Sequence, residues 1–328
     1  MNSFGKLFKV TIYGESHGPS VGVIISGIKP GIKVDYQLIE SNLERRKPSY
    51  YGSTPRKEKD TYTIESGINQ GYTTGTPILI RVLNEDLKKQ DYNQFKEHYR
   101  PSHVDFVSNL KYQGYNNLSG SGHFSGRLTV GLVIAGAFAK MITNYHIISK
   151  FVQVGKLTDL ANLESYIKEV ADQKDSVGAV VKITVKGVEP GLGEPFFESV
   201  ESKLSSILYS VPGIKGVSFG TGFAGVSLLG SEFNDPLITE SGKTLTNHSG
   251  GINGGITNGN DLIVNVFVRP ASSIGKPQET FNFKTKKIET LTITGRHDSF
   301  IAQRAVVVLE SVIQIALCDL LLQKKSRQ

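Results

Sequence analysis

The chain has 328 residues, 38% of them hydrophobic and 20% charged, which is enough apolar material for a large core and too little polar excess for extensive disorder. Its 37 basic and 30 acidic residues leave a net charge of +7, suited to a partner bearing phosphate or carboxylate; no long basic arm or aromatic RNA-binding strand accompanies them, which argues against a nucleic-acid binder. One cysteine, Cys318, excludes an internal disulfide and a thiolate metal centre, and MNSFGKLFKVTIYG lacks the apolar run of a secretory signal, so a cytoplasmic protein without membrane attachment is expected.

In chain order, KLFKVTIYG and VGVIISG read as strands, because β-branched residues recur at short spacing and a glycine closes each run. They bracket GESHG at 14 to 18, placing Glu15, Ser16 and His17 on a tight loop at a strand end. Asp35 is a candidate cap for a helix running to about Lys47, with Leu38, Ile39 and Leu43 as its apolar stripe and Arg45 and Arg46 near its end. DTYTIES and PILIRVLN are the next strands, followed by a polar connection and by RPSHVD at 100 to 105, read as extended. From Ser125 to Ile142 the sequence is apolar on nearly all sides and rich in Gly and Ala, which predicts a central helix closely packed by its neighbours. A strand over 145–154, a helix over 158–174, a strand over 178–187 and a helix over 196–209 follow without a linker, and a glycine-rich stretch begins after Gly213. DLIVNVFVRPA and ETLTITG read as strands, and a long helix closes the chain from about Asp298 to Gln323. A single domain over 1–328 is expected. Its two apolar helices hint at a duplicated unit, although no sequence repeat is visible.

GSGHFSG at 120 to 126 lacks the acidic residue and βαβ spacing of a dinucleotide fingerprint, and GKT at 242 to 244 lacks the upstream glycine of a phosphate loop. HExxH and paired CxxC are absent, so a metal site is not expected. What remains is a set of polar, glycine-flanked sites. His17 suits proton transfer, because histidine titrates at about 6.5 when unperturbed; a loop histidine satisfying nearby carbonyls is the plainer reading. His103 has Arg100 and Asp105 beside it, which fits either an oriented, more basic imidazole or a surface ion pair. GRHDS at 295 to 299 sets Arg296, His297 and Asp298 at the start of the last helix, where Asp298 reads as a helix cap, a neighbour of an anion site or a catalytic base. NHSGGINGGITNG at 247 to 259 offers bare backbone to a phosphate or a flat ring system, or is a hairpin tip. RPASS at 269 to 273 joins an arginine to two hydroxyls, a chemistry for phosphate or an ordinary turn.

Taken in order, FGKLFKVTIYGESHG, ERRKP, TGTPI, RPSHVD with KY at 111 to 112, GHFSGRLTVGLVIAGAFAK, GGINGGITNG, RPASSI and GRHDSF resemble the chorismate synthase family over almost the whole chain. The resemblance implies an α+β fold of helices sandwiched between two antiparallel sheets, built as a pseudo-duplicated βαβ unit and assembled as a homotetramer. It also implies a reaction of the shikimate pathway of aromatic amino-acid biosynthesis: anti-1,4-elimination of phosphate from 5-enolpyruvylshikimate-3-phosphate to give chorismate. Reduced FMN is required there although the overall change is redox-neutral. NADPH would enter only indirectly, for flavin reduction by this chain or by a separate flavin reductase. Carried over motif by motif, His17 serves the leaving phosphate, His103 maintains the protonation of the reduced flavin, and Asp298 assists removal of the ring proton together with a flavin nitrogen. Arg45, Arg46 and Arg127 would hold substrate anions. The implied FMN contacts are His123, Phe124 and Ser125, then Gly254, then Arg269, Pro270, Ala271, Ser272 and Ser273, and finally Arg296. The chain departs from the commoner pattern at several points. GHFSGRLT stands where many members read GRSSARET, so His123 and Phe124 replace an arginine and a serine. RPASS stands for KPxSS, GRHDS for GRHDP, and Gly52 where an arginine often follows RRxP, with Arg56 as a possible substitute.

Overall fold

The computed structural model describes residues 2–47, 59–85, 95–294 and 298–328. Alternating burial builds the first sheet. Strands β1 (Ser3–Phe4), β2 (Lys9–Gly14), β3 (Ser20–Ser26), β4 (Tyr62–Ile64) and β5 (Ile78–Leu83) pair antiparallel in the order β1-β2-β3-β5-β4. Val21, Val23 and Ile25 of β3 and Ile78, Ile80 and Val82 of β5 are fully buried, the alternate-residue pattern of a sheet with one face on the core. Strands β6 (His146–Val154), β7 (Ala179–Lys186), β8 (Ile214–Phe219) and β9 (Leu262–Val268) form a second antiparallel sheet in the order β8-β9-β7-β6. There Ile183 lies opposite Val264 and Val181 opposite Val266, all fully buried.

Helices fill the space between the sheets. The longer helices are α1 (Tyr36–Arg45), α2 (Asp105–Lys111), α3 (Thr129–Thr143), α4 (Leu163–Asp172), α5 (Val200–Ser210) and α6 (Ala302–Ser326), of which α1, α3, α5 and α6 form the packed layer. The α3 and α6 helices pack on each other, with α1 beside α3 and α5 beside α6; α3 lies on β2 and β3, and α6 on β6 and β7. This is the α+β sandwich of helices between two antiparallel sheets that the resemblance implied. Both α6 and the stretch 119–143 are long and apolar enough by composition to cross a membrane, but most of each is buried inside the fold. Cys318 is fully buried in α6, and burial pushes its thiol up, out of reach of thiolate chemistry. Asp319, one residue on, accepts the amides of Lys6, Leu7 and Phe8 at 2.9, 2.7 and 2.9 Å, pinning the N-terminal segment to the last helix.

The duplication that the residues do not display is present in the topology. In the first half the strands lie in the order β2-β3-β5-β4, and in the second in the order β6-β7-β9-β8, so in each the last strand inserts beside the second. A helix (α1, α5) follows the second strand, and an apolar helix (α3, α6) follows the last.

Some local expectations change. RPSHVD is not extended: residues 101–104 turn, Ser102 has φ 55°, and Asp105 opens α2. The last helix begins at Ala302 with Ile301 as its cap residue, so Asp298 precedes the helix and does not cap it. Strand β8, unanticipated in its glycine-rich surroundings, has no clean alternation because its register shifts between Ile214 and Gly216 and most of it is half-buried.

Candidate active site

The GESHG loop leaves β2 at Gly14, whose φ is 96°, and a Cβ there would stand 2.4 Å from the Ser20 carbonyl, so only glycine permits the turn. Asn84, just beyond β5, fixes the loop from beneath. Its Nδ2 donates to the carbonyls of Glu15 and Gly18 at 3.0 and 2.8 Å. From the other side, the Ser16 amide donates to the Gly122 carbonyl at 3.0 Å. His17 therefore lies directly on the backbone of Gly120, where a Cβ would fall 2.0 Å from its Nδ1.

His103, on the 101–104 turn, meets the same 120–122 segment. Its Nδ1 is 2.7 Å from Asp105 Oδ1 and its Nε2 is 3.2 Å from Ser121 Oγ. Burial opposes ionisation of Asp105, but hydrogen bonds from Arg100 and His103 prevail and hold its carboxyl well below the usual carboxylate range. An ionised Asp105 can only accept, so His103 carries a hydrogen on Nδ1. Arg100 clamps Asp105 through Nε and Nη2, each at 2.8 Å, and reaches Ser273 Oγ at 3.2 Å with Nη1. Arg269 Nη1 donates to the Ser102 carbonyl at 2.9 Å, and Ser176 holds the Ala271 carbonyl at 2.7 Å. The 100–105, 119–122 and 269–273 segments are thus one surface with His17 at its edge.

Behind it lies a buried cationic cluster. Asp60, in the left-handed region at φ 52°, receives Arg46 Nη1 at 2.8 Å and also bonds Arg127 Nη1. Arg46 reaches Thr129 Oγ1 and the Gly126 carbonyl, and Arg127 Nε donates to Asn84 Oδ1 at 3.0 Å. Burial pulls the Arg46 guanidinium down to about 10; Asp60 opposes the fall, and Arg304 and Arg127 add to it. Arg304 links this cluster to Asp298, donating from Nε to the Arg46 carbonyl at 3.3 Å and from Nη1 to Asp298 Oδ2 at 3.4 Å. Burial raises the Asp298 carboxyl above its ordinary value, with Arg304 and the Phe300 amide opposing. Among the described residues, Asp298 Oδ1 and the fully buried Ser16 Oγ have no hydrogen-bond partner.

His17, His103, Asp298, Arg46 and Arg127 therefore belong to one continuous set of contacts. Other expected positions behave differently. Arg45 is half-exposed and held bidentate by Glu310 at 2.6 and 2.8 Å. His123 Nδ1 lies 2.8 Å from the Gly14 carbonyl and its Nε2 3.2 Å from Asn2 Oδ1, while Phe124 packs edge-on against Tyr112. Ser125 Oγ caps the turn into α3 by accepting the Arg127 amide at 3.3 Å. Pro270 packs over Gly178, and Ser272 is half-buried. Gly254 is an exposed hairpin tip; its hairpin adjoins the Leu262 end of β9, whereas Arg269 leaves the Val268 end. Arg296, His297, Gly52 and Arg56 lie outside the described residues. Asn84, Asp60, Ser121 and Arg304 were missed by sequence reasoning. Asn84 and Asp60 sit at the ends of strand-like runs that draw attention to their apolar residues, and Ser121 lies inside a glycine motif whose only familiar meaning is a dinucleotide loop.

Residues 8–322 match the family model described as chorismate synthase. The chain is 47% identical to the chorismate synthase of Chitinophaga pinensis, covering 100% of this chain and 99% of the relative. It is 40% identical to that of Pyrococcus abyssi, covering 98% of each. A solved structure described as chorismate synthase superposes with a TM-score of 0.77 at 25% identity, over 98% of this chain and 93% of the other. With its site assembled from both halves of a duplicated sandwich, the chain belongs to the chorismate synthase family and is a lyase.

Proposed function

We propose that this protein eliminates phosphate from 5-enolpyruvylshikimate-3-phosphate, in the anti-1,4 sense, to give chorismate for aromatic amino-acid biosynthesis, with reduced FMN bound beside the substrate. The observation that carries this reading is the convergence of two imidazoles, His17 and His103, on the 120–122 segment, with a buried arginine pair tied through Asn84 to the loop that carries His17.

The phosphate leaves with the electron pair of its C–O bond, and a ring carbon gives up a proton, so that the new double bond completes a diene. His17, on the loop edge, donates a proton to the departing phosphate, while Arg46 and Arg127 supply fixed positive charge for substrate anions. Asp298, more basic than an ordinary aspartate because it is buried, receives the ring proton. His103, its Nδ1 hydrogen fixed by Asp105, holds or returns a proton through Nε2 and keeps the cofactor in its reactive protonation state.

Arg269 and Ser273, joined to the His103 turn through the Ser102 carbonyl and Arg100, offer a cation and a hydroxyl that would suit the phosphate of a flavin. The buried hydrogen-bonding capacity of Ser16 Oγ and Asp298 Oδ1 favours a polar ligand in the same region. When bound, reduced FMN would supply an electron-rich ring beside the substrate. The reading includes assembly of several copies of the chain, in which Gly254, on the hairpin beside the Leu262 end of β9, and Arg269, beyond the Val268 end, could meet one flavin. Exposed Phe196, Phe197, Phe223 and Val226 offer apolar surface for such an assembly, read as a homotetramer. The reading includes a cytoplasmic location and NADPH-driven reduction of the flavin, by this chain or by a separate reductase.

The test is an oxygen-free incubation of purified protein with the phosphorylated enol ether and either reduced FMN, oxidised FMN, or oxidised FMN together with NADPH. Phosphate and a conjugated diene are expected with reduced FMN and not with oxidised FMN; their absence with reduced FMN overturns the reading. Product with NADPH and oxidised FMN together locates the reductase in this chain.

A further inference from the structure

Gly120, Ser121 and Gly122 have consecutive positive φ angles of 57°, 70° and 52°. Glycine adopts this backbone without penalty, but serine does not, because its Cβ crowds the neighbouring carbonyl. A strained non-glycine residue persists where its surroundings hold it and its side chain is used. The Ser121 hydroxyl lies 3.2 Å from His103 Nε2.

We propose that Ser121 is a positioning residue that keeps His103 bonded at Nε2 in both of its protonation states; this rests on the role given to His103 above. Asp105 fixes the Nδ1 hydrogen, so in the neutral ring Nε2 is the acceptor and the serine hydroxyl donates to it. When a bound molecule gives a proton to the hydroxyl oxygen, the hydroxyl passes its own hydrogen to Nε2, and the same oxygen then accepts from Nε2–H. A hydroxyl serves both states, whereas an ammonium or a carboxylate would bond only one. The ring then exchanges protons without swinging on its Asp105 bond. The charged and titratable groups facing it are Asp105, Arg100 behind that carboxylate, Arg269 on the Ser102 carbonyl, and His17 across Gly120.

Two variants separate the hydroxyl from the backbone. Ser121→Ala keeps the left-handed strain and loses the hydroxyl; Ser121→Gly loses both. In the flavin-loaded enzyme both variants are expected to lower kcat by a similar factor, roughly tenfold, with KM little changed, although the glycine variant melts at the higher temperature of the two. Wild-type turnover in the glycine variant overturns the proposal, since it would mean that only the backbone matters. In the flavin-free protein, ¹⁵N spectroscopy of His103 is expected to show the Nε2 resonance moving to that of an uncapped nitrogen in both variants, and an unmoved resonance also overturns it. Failure of the wild type to turn over would instead remove the proposed reaction, while the nitrogen resonance would still report the contact.

Discussion

Asp105 and Asp298 are both buried carboxyls, yet their partners drive them in opposite directions. Asp105 has a bidentate arginine and an imidazole, and its ionised form is stabilised despite burial. Asp298 has one arginine contact, at 3.4 Å, and burial wins. The signs follow from linkage. The stability that Asp105 contributes is complete above the ordinary aspartate value of 3.8 and is lost as pH falls below it. Asp298 behaves oppositely: its contribution is complete below 3.8 and is lost as pH rises through its raised value. As a base, Asp298 must be deprotonated, so kcat/KM is expected to climb with pH along an acid limb centred above 3.8, and Asp298→Asn should lower activity and abolish that limb. An unchanged acid limb in the asparagine variant would exclude this aspartate from the proton transfer. Residues of this kind are only partly legible in a sequence. The motif around His103 displays Asp105 two residues away, but the turn at Ser102 that brings them into contact replaces the extended segment its spacing predicts. Asn84 and Asp60 carry no motif, because their importance comes from which distant carbonyls and guanidiniums the topology sets beside them.

At the level of elements, α3 and α6 are the most legible parts of the chain. Their all-round apolarity requires burial on every side, and both are central. Their closeness depends on small residues: a Cβ on Gly136 would lie 2.5 Å from the Ser311 Cβ. Gly136→Ala gains about 1 kcal/mol of helix propensity but forces the helices apart. A net destabilisation of about 1–3 kcal/mol is expected from overpacking, measured as a lower denaturation midpoint at unchanged m-value. A more stable alanine variant would show that the two helices do not approach this closely. Strand β8 and the start of α6 are less legible. The β8 strand is half-buried and bulged, so it lacks the period-two signal, and the polar GRHDS run hides the fact that regular helix begins only at Ala302.

For the molecule as a whole, duplication explains how residues far apart in sequence meet. His17 lies on a loop of the first sheet, Asp298 precedes the helix that closes the second half, and Arg46 and Arg304 join them across the α1, α3 and α6 layer. The family and its fold were legible from ordered motifs, while the repeated strand order was not, because the two halves share topology without visible sequence repetition. The net charge of +7 also takes on meaning here: part of it is buried as Arg46 and Arg127 and held apart by Asp60, beside the loop that carries His17. The most direct measurement is single-turnover phosphate release by His17→Ala, with reduced FMN and without oxygen, beside the wild type. A rate lower by roughly 10²- to 10⁴-fold with flavin affinity retained is the expected result; release at the wild-type rate would contradict the assignment of His17 to the departing phosphate.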